Sequence, residues 1–212
     1  MATPRSTYRH GDLQRALVDA GLELARESGP DAVVLRETTR KAQVAASAAY
    51  RHFTDRDALV HAVSMAAQAH LAEAIEQAQA EELAKLPEDA DDVARSRALL
   101  RSVGAGYLGF AWAEPGWFRT AFWVHEDLRD AAAPMAAGPA GKTPFQMLGH
   151  ALDAMVAAGV LPADQRAGAE VLAWSTVHGM ATLTIDGPLR VIDPRTRLAL
   201  AERLLYMVER GL

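Results

Sequence analysis

The sequence predicts an all-α protein, with an N-terminal three-helix helix-turn-helix unit joined to a larger helical part. Three observations predict it. Apolar residues recur every three or four positions along nearly every segment, the period of one helix face, and no run alternates as a strand does. Proline, glycine and short polar residues punctuate these segments at helix-length intervals. Near the N-terminus two short helical segments are joined tightly and small residues open the second, which is the helix-turn-helix arrangement. No internal repeat or low-complexity tract interrupts the pattern.

In order, Leu13, Leu17, Ala20 and Leu24 share one face of a first helix, stopped by Gly29-Pro30. A second helix runs from about Leu35 to Ala42, and a third from about Ala46 to Phe53. Thr54-Asp55-Arg56-Asp57 reads as a capping box with Thr54 at the cap. It opens a long helix to about Leu86, with Leu59, Val63, Ala66, His70 and Ile75 near one stripe. Pro87 to Asp92 is an acidic loop. The fifth helix spans about Val93 to Ala113, and a short aromatic helix covers Trp117 to His125. Residues 131 to 142, AAAPMAAGPAGK, read as a flexible linker. Thr143-Pro144 starts a helix, Thr capping and Pro first, that ends near Gly159. The next covers about Asp164 to Ile185, and Asp193-Pro194 starts a last one to Arg210.

The 212 residues carry no cysteine, which excludes disulfides, thiolate metal sites and cysteine nucleophiles. No apolar run approaches the roughly 20 residues that cross a bilayer, and the N-terminus lacks an apolar signal segment. A cytoplasmic protein without a membrane partner is expected. Net charge is −5, yet the charge is uneven. From Arg36 to Arg56 five basic residues (Arg36, Arg40, Lys41, Arg51, Arg56) face two acids (Glu37, Asp55), a local +3. A small phosphate-contacting surface on an acidic body has this pattern.

VAASAAYRHF, residues 44 to 53, carries the chemistry. A recognition helix entering a major groove about 12 Å wide needs its backbone close to the base edges. Ala45, Ala46, Ser47 and Ala48 permit that approach; alanine methyls can meet thymine methyls and the Ser47 hydroxyl can donate or accept. Tyr50, Arg51 and His52 can reach phosphates, with Arg36 and Arg56 beside them. Phe53 is expected to point inward. A tightly packed Ala-rich core helix is the bland alternative.

Residues 8 to 63 resemble the N-terminal domain of the TetR family of transcriptional repressors. The resemblance rests on YRHGDLQRALVDAGLELARESG, LRETTRKAQVAASAAYRHF and TDRDALVHAV, in that order and spacing. The stretches 106–122 and 172–187 resemble, more loosely, the ligand-binding half of a subgroup with a Trp-His-Gly motif, here Trp174, His178 and Gly179. The resemblance implies a DNA-binding domain over residues 1–56 and an effector-binding and dimerisation domain over 57–212. It implies double-stranded operator DNA, a small-molecule effector and a second copy of the chain as partners, and no enzyme activity or cofactor. It further implies repression relieved when an effector shifts the fourth helix. The chain departs from the family at four places. Val34 and Ala45 stand where hydroxyl caps are usual, Thr38-Thr39 replaces Ile-Ala, and Gln43 replaces the turn glycine. Arg56 stands for a lysine that commonly touches phosphate.

Phe110, Trp112, Phe118, Phe122, Trp123 and His125, with Met147, Trp174 and His178, are the candidate walls of an apolar pocket for a hydrophobic or aromatic effector. Ordinary core is the alternative for each. The last two helices, with Leu198, Ala201, Leu204, Leu205 and Val208 as an apolar face, are expected to pair with their copies. Gly104, Gly106 and Gly109 spell a dinucleotide fingerprint, but the residues before them continue a helical pattern where that motif needs a strand. No metal site or catalytic motif is expected. The rival reading is a helical small-molecule carrier or enzyme with a vestigial N-terminal half.

Overall fold

The computed structural model describes residues 10–123 and 132–212. Among these every regular element is helical. The α-helices are α1 (His10–Ser28), α2 (Leu35–Lys41), α3 (Ala46–Ala49), α4 (Arg56–Ala84), α5 (Asp92–Ala113), α6 (Pro115–Ala121), α7 (Pro144–Ala157), α8 (Ala169–Ile185) and α9 (Pro194–Gly211).

Two apolar cores form around α4. The first joins Leu17, Leu22 and Ala25 of α1 to Val33, Ala49, Phe53, Leu59, Val60 and Val63. The second joins Leu71 and Ile75 of α4 to α5, α7, α8 and Ala201 of α9. Because α4 serves both cores from different sides, it is buried around much of its circumference along residues 59–75 and lacks a single apolar stripe. The expected stripe is present at Leu59, Val63 and Ile75, while Ala66 and His70 are half-buried. Gly106 makes the α4–α5 crossing close, since a Cβ there would stand 2.7 Å from the Ile75 Cα. The Gly104–Gly109 stretch lies inside α5, with helix on both sides, and so packs helices instead of cradling phosphate.

Several boundaries differ from the sequence reading. The α4 cap is Asp55, whose carboxylate accepts from the Ala58 N–H at 2.8 Å. Thr54, one residue earlier, donates to Asp55 and has no part in the cap. Regular α3 ends at Ala49; the chain then tightens, with Arg51 and His52 amides donating to the Ala48 and Ala49 carbonyls three residues back. The described residues of the expected linker are docked: Ala136 is fully buried and the Ala140 N–H donates to Glu76 of α4 at 3.0 Å. A left-handed Gly168 delays α8 to Ala169, after a 3-10 turn at Ala163–Gln165. The Thr143 and Asp193 starts are as expected, Thr143 forming a full capping box with Gln146. The acidic run contributes its own cap, Asp91 accepting from the Ala94 N–H at 2.7 Å.

The departures in the N-terminal unit have physical consequences. Val34 and Ala45 begin α2 and α3 with no side-chain cap bond. Gln43 has φ 57°, the one non-glycine with positive φ among the described residues. Thr39 satisfies its hydroxyl on the Arg36 carbonyl at 2.9 Å, but the buried Thr38 hydroxyl has no partner. A left-handed non-glycine costs about 1–2 kcal/mol, and an unpaired buried hydroxyl about 1–3 kcal/mol. Gln43→Gly is therefore expected to stabilise the chain by about 0.5–1 kcal/mol after the added freedom of the unfolded glycine is counted. Thr38→Val is expected to add about 1 kcal/mol. Urea denaturation of the two variants and wild type checks both; a loss of stability in either contradicts the assignment of strain.

Candidate functional site

The first candidate site is the α2–turn–α3 surface. Ala49 and Phe53 are buried against α1 and α4, which anchors α3 to the N-terminal core. That anchoring turns Ala45, Ala46, Ser47, Tyr50 and Arg51 outward, and all five are exposed; Ala48 and His52 are half-buried. Arg36 of α2 is exposed beside them. The small side chains thus form a flat outward face, edged by Tyr50, which is 60% exposed, and Arg51.

The basic charge of this segment is partly neutralised within the fold, which sequence counting could not register. Arg40 pairs with Glu37 at 2.8 Å. Lys41 bonds to Glu23 at 3.0 Å and Glu27 at 3.3 Å, tying α2 to α1, and the hydrogen bond it donates to Glu23 raises its pKa. Arg56 donates to the Val33 and Pro30 carbonyls at 3.1 and 3.0 Å, clamping the α1–α2 connection onto the start of α4. A phosphate reaching Arg56 competes with that clamp. Among the described residues, Arg36 and Arg51 remain the cations of the segment without an ion-pair partner.

The second candidate site is a cavity of about 60 Å³ bounded by α4, α5, α7, α8 and α9. Its walls include Leu100 and Val103 of α5, Phe145 and Leu148 of α7, Val177 of α8, and Leu205 and Val208 of α9. Of the aromatic residues expected to line it, Phe122 and Trp174 do. Phe118 and His178 pack directly on Phe122, with ring centroids 5.2 and 5.0 Å away. Met147 is buried in the same core without lining the cavity. Phe110 instead stacks on Trp117, and the Trp112 indole donates to Thr184 at 2.9 Å beneath Arg197. Trp123 is 51% exposed, and His125 lies outside the described residues. Sequence reasoning missed Tyr107, Gln68 and the aliphatic walls. Tyr107 is central: its oxygen lies 2.7 Å from His178 Nδ1 and accepts from the Trp174 indole at 3.2 Å. Burial pushes its phenol pKa far upward, so it stays protonated.

Helix α6 lies between the two sites. At its start Gly116 sits so close to the Ala25 and Arg26 carbonyls of α1 that a Cβ there would overlap them. The Trp117 indole donates to the Leu22 carbonyl at 2.8 Å, and Arg26 forms a two-pronged pair with Glu114. His70 of α4 stacks on Trp117 at 4.6 Å. At the other end the Ala121 carbonyl accepts from Ser64 at 3.1 Å and from the cavity residue Gln68 at 3.0 Å. Arg119 grips Asp186, at the end of α8, through two nitrogens. The aromatic density of residues 110 to 122 thus marks this junction as much as a cavity wall.

Residues 17–63 match the model of the bacterial regulatory proteins of the tetR family, and residues 100–208 match that of the tetracyclin repressor-like C-terminal domain. A Rhodococcus sp. RHA1 protein of unknown function is similar along 98% of this chain and 99% of its own, at 25% identity and a TM-score of 0.70. The transcriptional regulator FadR from Bacillus subtilis, solved with stearoyl-CoA, shares the fold over 93% of this chain and 98% of its own, at 14% identity and a TM-score of 0.55. Among curated proteins none matches. The chain belongs to the TetR family: a DNA-binding transcriptional regulator with an N-terminal helix-turn-helix and a helical C-terminal domain. No described helix is long and apolar enough to cross a membrane.

The Arg119–Asp186 pair gives the α6–α8 contact a pH dependence. Hydrogen bonding from Arg119 holds the Asp186 carboxyl below the usual carboxylate range. A pKa lowered by folding contributes stability above the unfolded value, about 3.9, and loses it as pH falls through the folded value. Both side chains are partly exposed, so Asp186→Asn is expected to cost under about 1 kcal/mol at pH 7. That deficit should close as the medium is acidified below about pH 3.9. Thermal melts across pH check it; a deficit that persists undiminished in acid contradicts the pairing.

Proposed function

We propose that the chain acts as a dimeric repressor, released from its operator when a small hydrophobic or aromatic molecule occupies the α4–α9 cavity. The observation carrying this reading is the path through Gln68. Gln68 lines the cavity and holds the Ala121 carbonyl at the end of α6, while the start of α6 is wedged against α1. A ligand that displaces Gln68 or Phe122 pulls on α6 and so on the unit carrying the recognition helix. The coupling needs only a few kcal/mol to change operator occupancy. Exclusion of water from the apolar walls favours a hydrophobic occupant. The complex of FadR with stearoyl-CoA supports a ligand with an apolar acyl chain on this fold, without identifying the occupant here.

On DNA, the proposed contacts are Arg36, Ala45, Ala46, Ser47, Ala48, Tyr50, Arg51 and His52, the small residues toward bases and the larger ones toward phosphates. Arg56 contributes only where a phosphate replaces its carbonyl partners. Two recognition helices must reach half-sites roughly 34–36 Å apart, which requires a dimer.

The dimer contact is proposed on α8 and α9, on a face that keeps Leu198 and Leu204 but not the rest of the one expected from sequence. Ala201 is buried, Leu204 is half-buried against the core, and Leu205 and Val208 line the cavity. Of the expected face, Leu198 alone is exposed. The outward apolar stripes are Leu172, Thr176, Gly179 and Leu183 of α8 with Leu200 and Met207 of α9. A Cβ at Gly179 would meet nothing among the described residues, which leaves this part of α8 open to a partner.

Fluorescence anisotropy with the DNA flanking the gene, across a salt series and with unrelated DNA as competitor, tests the reading. Tyr50→Ala plus Arg51→Ala, both exposed, is expected to weaken operator binding at least about tenfold with unchanged stability. Binding as tight as wild type contradicts the assigned surface. Gly179→Arg is expected to sediment as a monomer with an unchanged circular dichroism spectrum; a dimer of undiminished affinity removes α8 from the interface.

A further inference from the structure

We propose that the cavity selects an uncharged, mostly apolar molecule bearing a single hydroxyl, such as a small substituted phenol. The inference rests on the cavity being the effector site and narrows what it admits.

Size comes first. The cavity measures about 60 Å³, whereas a cavity of about 150 Å³ holds benzene, so a ring of that size enters only as wall residues such as Gln68 and Phe122 give way. Charge comes next. Among the described residues, the lining side chains that carry a polar atom are Gln68, Tyr107 and Trp174, and none of them is ionic. A carboxylate or ammonium entering here would lose its hydration without gaining a counter-ion.

The hydroxyl follows from the Tyr107 network. The Trp174 indole can only donate, so the Tyr107 oxygen accepts from it. Two arrangements with His178 remain. If the Tyr107 hydroxyl donates to His178 Nδ1, its oxygen keeps one lone pair for a ligand donor. If His178 Nδ1–H donates to Tyr107, the phenolic proton is left for a ligand acceptor. A ligand hydroxyl, both donor and acceptor, completes either arrangement; a carbonyl, acceptor only, completes just the second.

Isothermal titration calorimetry of the full chain with 4-ethylphenol, ethylbenzene and 4-ethylbenzoate tests this. The expected result is 4-ethylphenol binding at least about tenfold tighter than 4-ethylbenzoate and about threefold or more tighter than ethylbenzene. Tyr107→Phe should remove the preference over ethylbenzene while ethylbenzene still binds. The wild-type series decides the matter if that variant does not fold. Benzoate binding as tightly as the phenol, phenol no better than ethylbenzene, or no binding by any of the three overturns the inference. Operator affinity is measured separately. If 4-ethylphenol binds as expected and the operator is not released, the ligand class stands and the effector reading fails.

Discussion

The contact on which the arrangement depends is the seat of α6. One end is fixed because Gly116 has no side chain and Trp117 reaches a carbonyl of α1. The other is fixed because the Ala121 carbonyl takes two side-chain hydrogen bonds from α4. Both Ser64 and Gln68 are buried, so losing either bond would leave polar groups unsatisfied away from water. Such a contact resists gradual loosening. It favours moving α6 as a unit, carrying α1 with it, as the proposed relay from the cavity requires.

The N-terminal unit is built with little reserve. Its two short helices start without side-chain caps, its turn holds a left-handed glutamine, and a buried threonine hydroxyl is unpaired. Tertiary ties compensate. Arg56 clamps the Pro30–Val33 connection, Lys41 binds α2 to α1, and Phe53 is buried beneath α3. The helix-turn-helix is therefore held from outside itself, by α1 and the start of α4. A unit supported in this way follows its supports when they move, which suits the proposed relay.

Much of this was legible in the sequence. Helical periodicity set the all-α class, and short polar residues before proline marked the α7 and α9 starts. The small residues before Tyr50 marked an outward face, and Phe53 was correctly read as its anchor. What was not legible depends on three-dimensional pairing. Arg56 looks free in sequence but holds two carbonyls far from it along the chain. On α9 the expected face divides, Leu205 and Val208 lining the cavity while Leu198 is exposed, because periodicity cannot tell the side facing a cavity from the side facing solvent. Similarly, aromatic density pointed to residues 110 to 125, whereas the cavity draws a few residues from each of five helices and only Phe122 from that stretch. Tyr107 carried no sequence signal beyond its place in a glycine-rich stretch of α5.

The most direct test of the relay is the distance between the two recognition units with the cavity empty and filled. The chain has no cysteine, so Arg51→Cys gives one spin label per chain, and double electron–electron resonance reports the separation across the dimer. With 4-ethylphenol bound, or any occupant shown by calorimetry to fill the cavity, the account predicts a displaced inter-label distance distribution. It also predicts that Gln68→Leu, which removes the bond to the Ala121 carbonyl, blunts that displacement. An unchanged distribution in wild type with the cavity demonstrably occupied would contradict the claim that α6 connects the cavity to the DNA-binding surface.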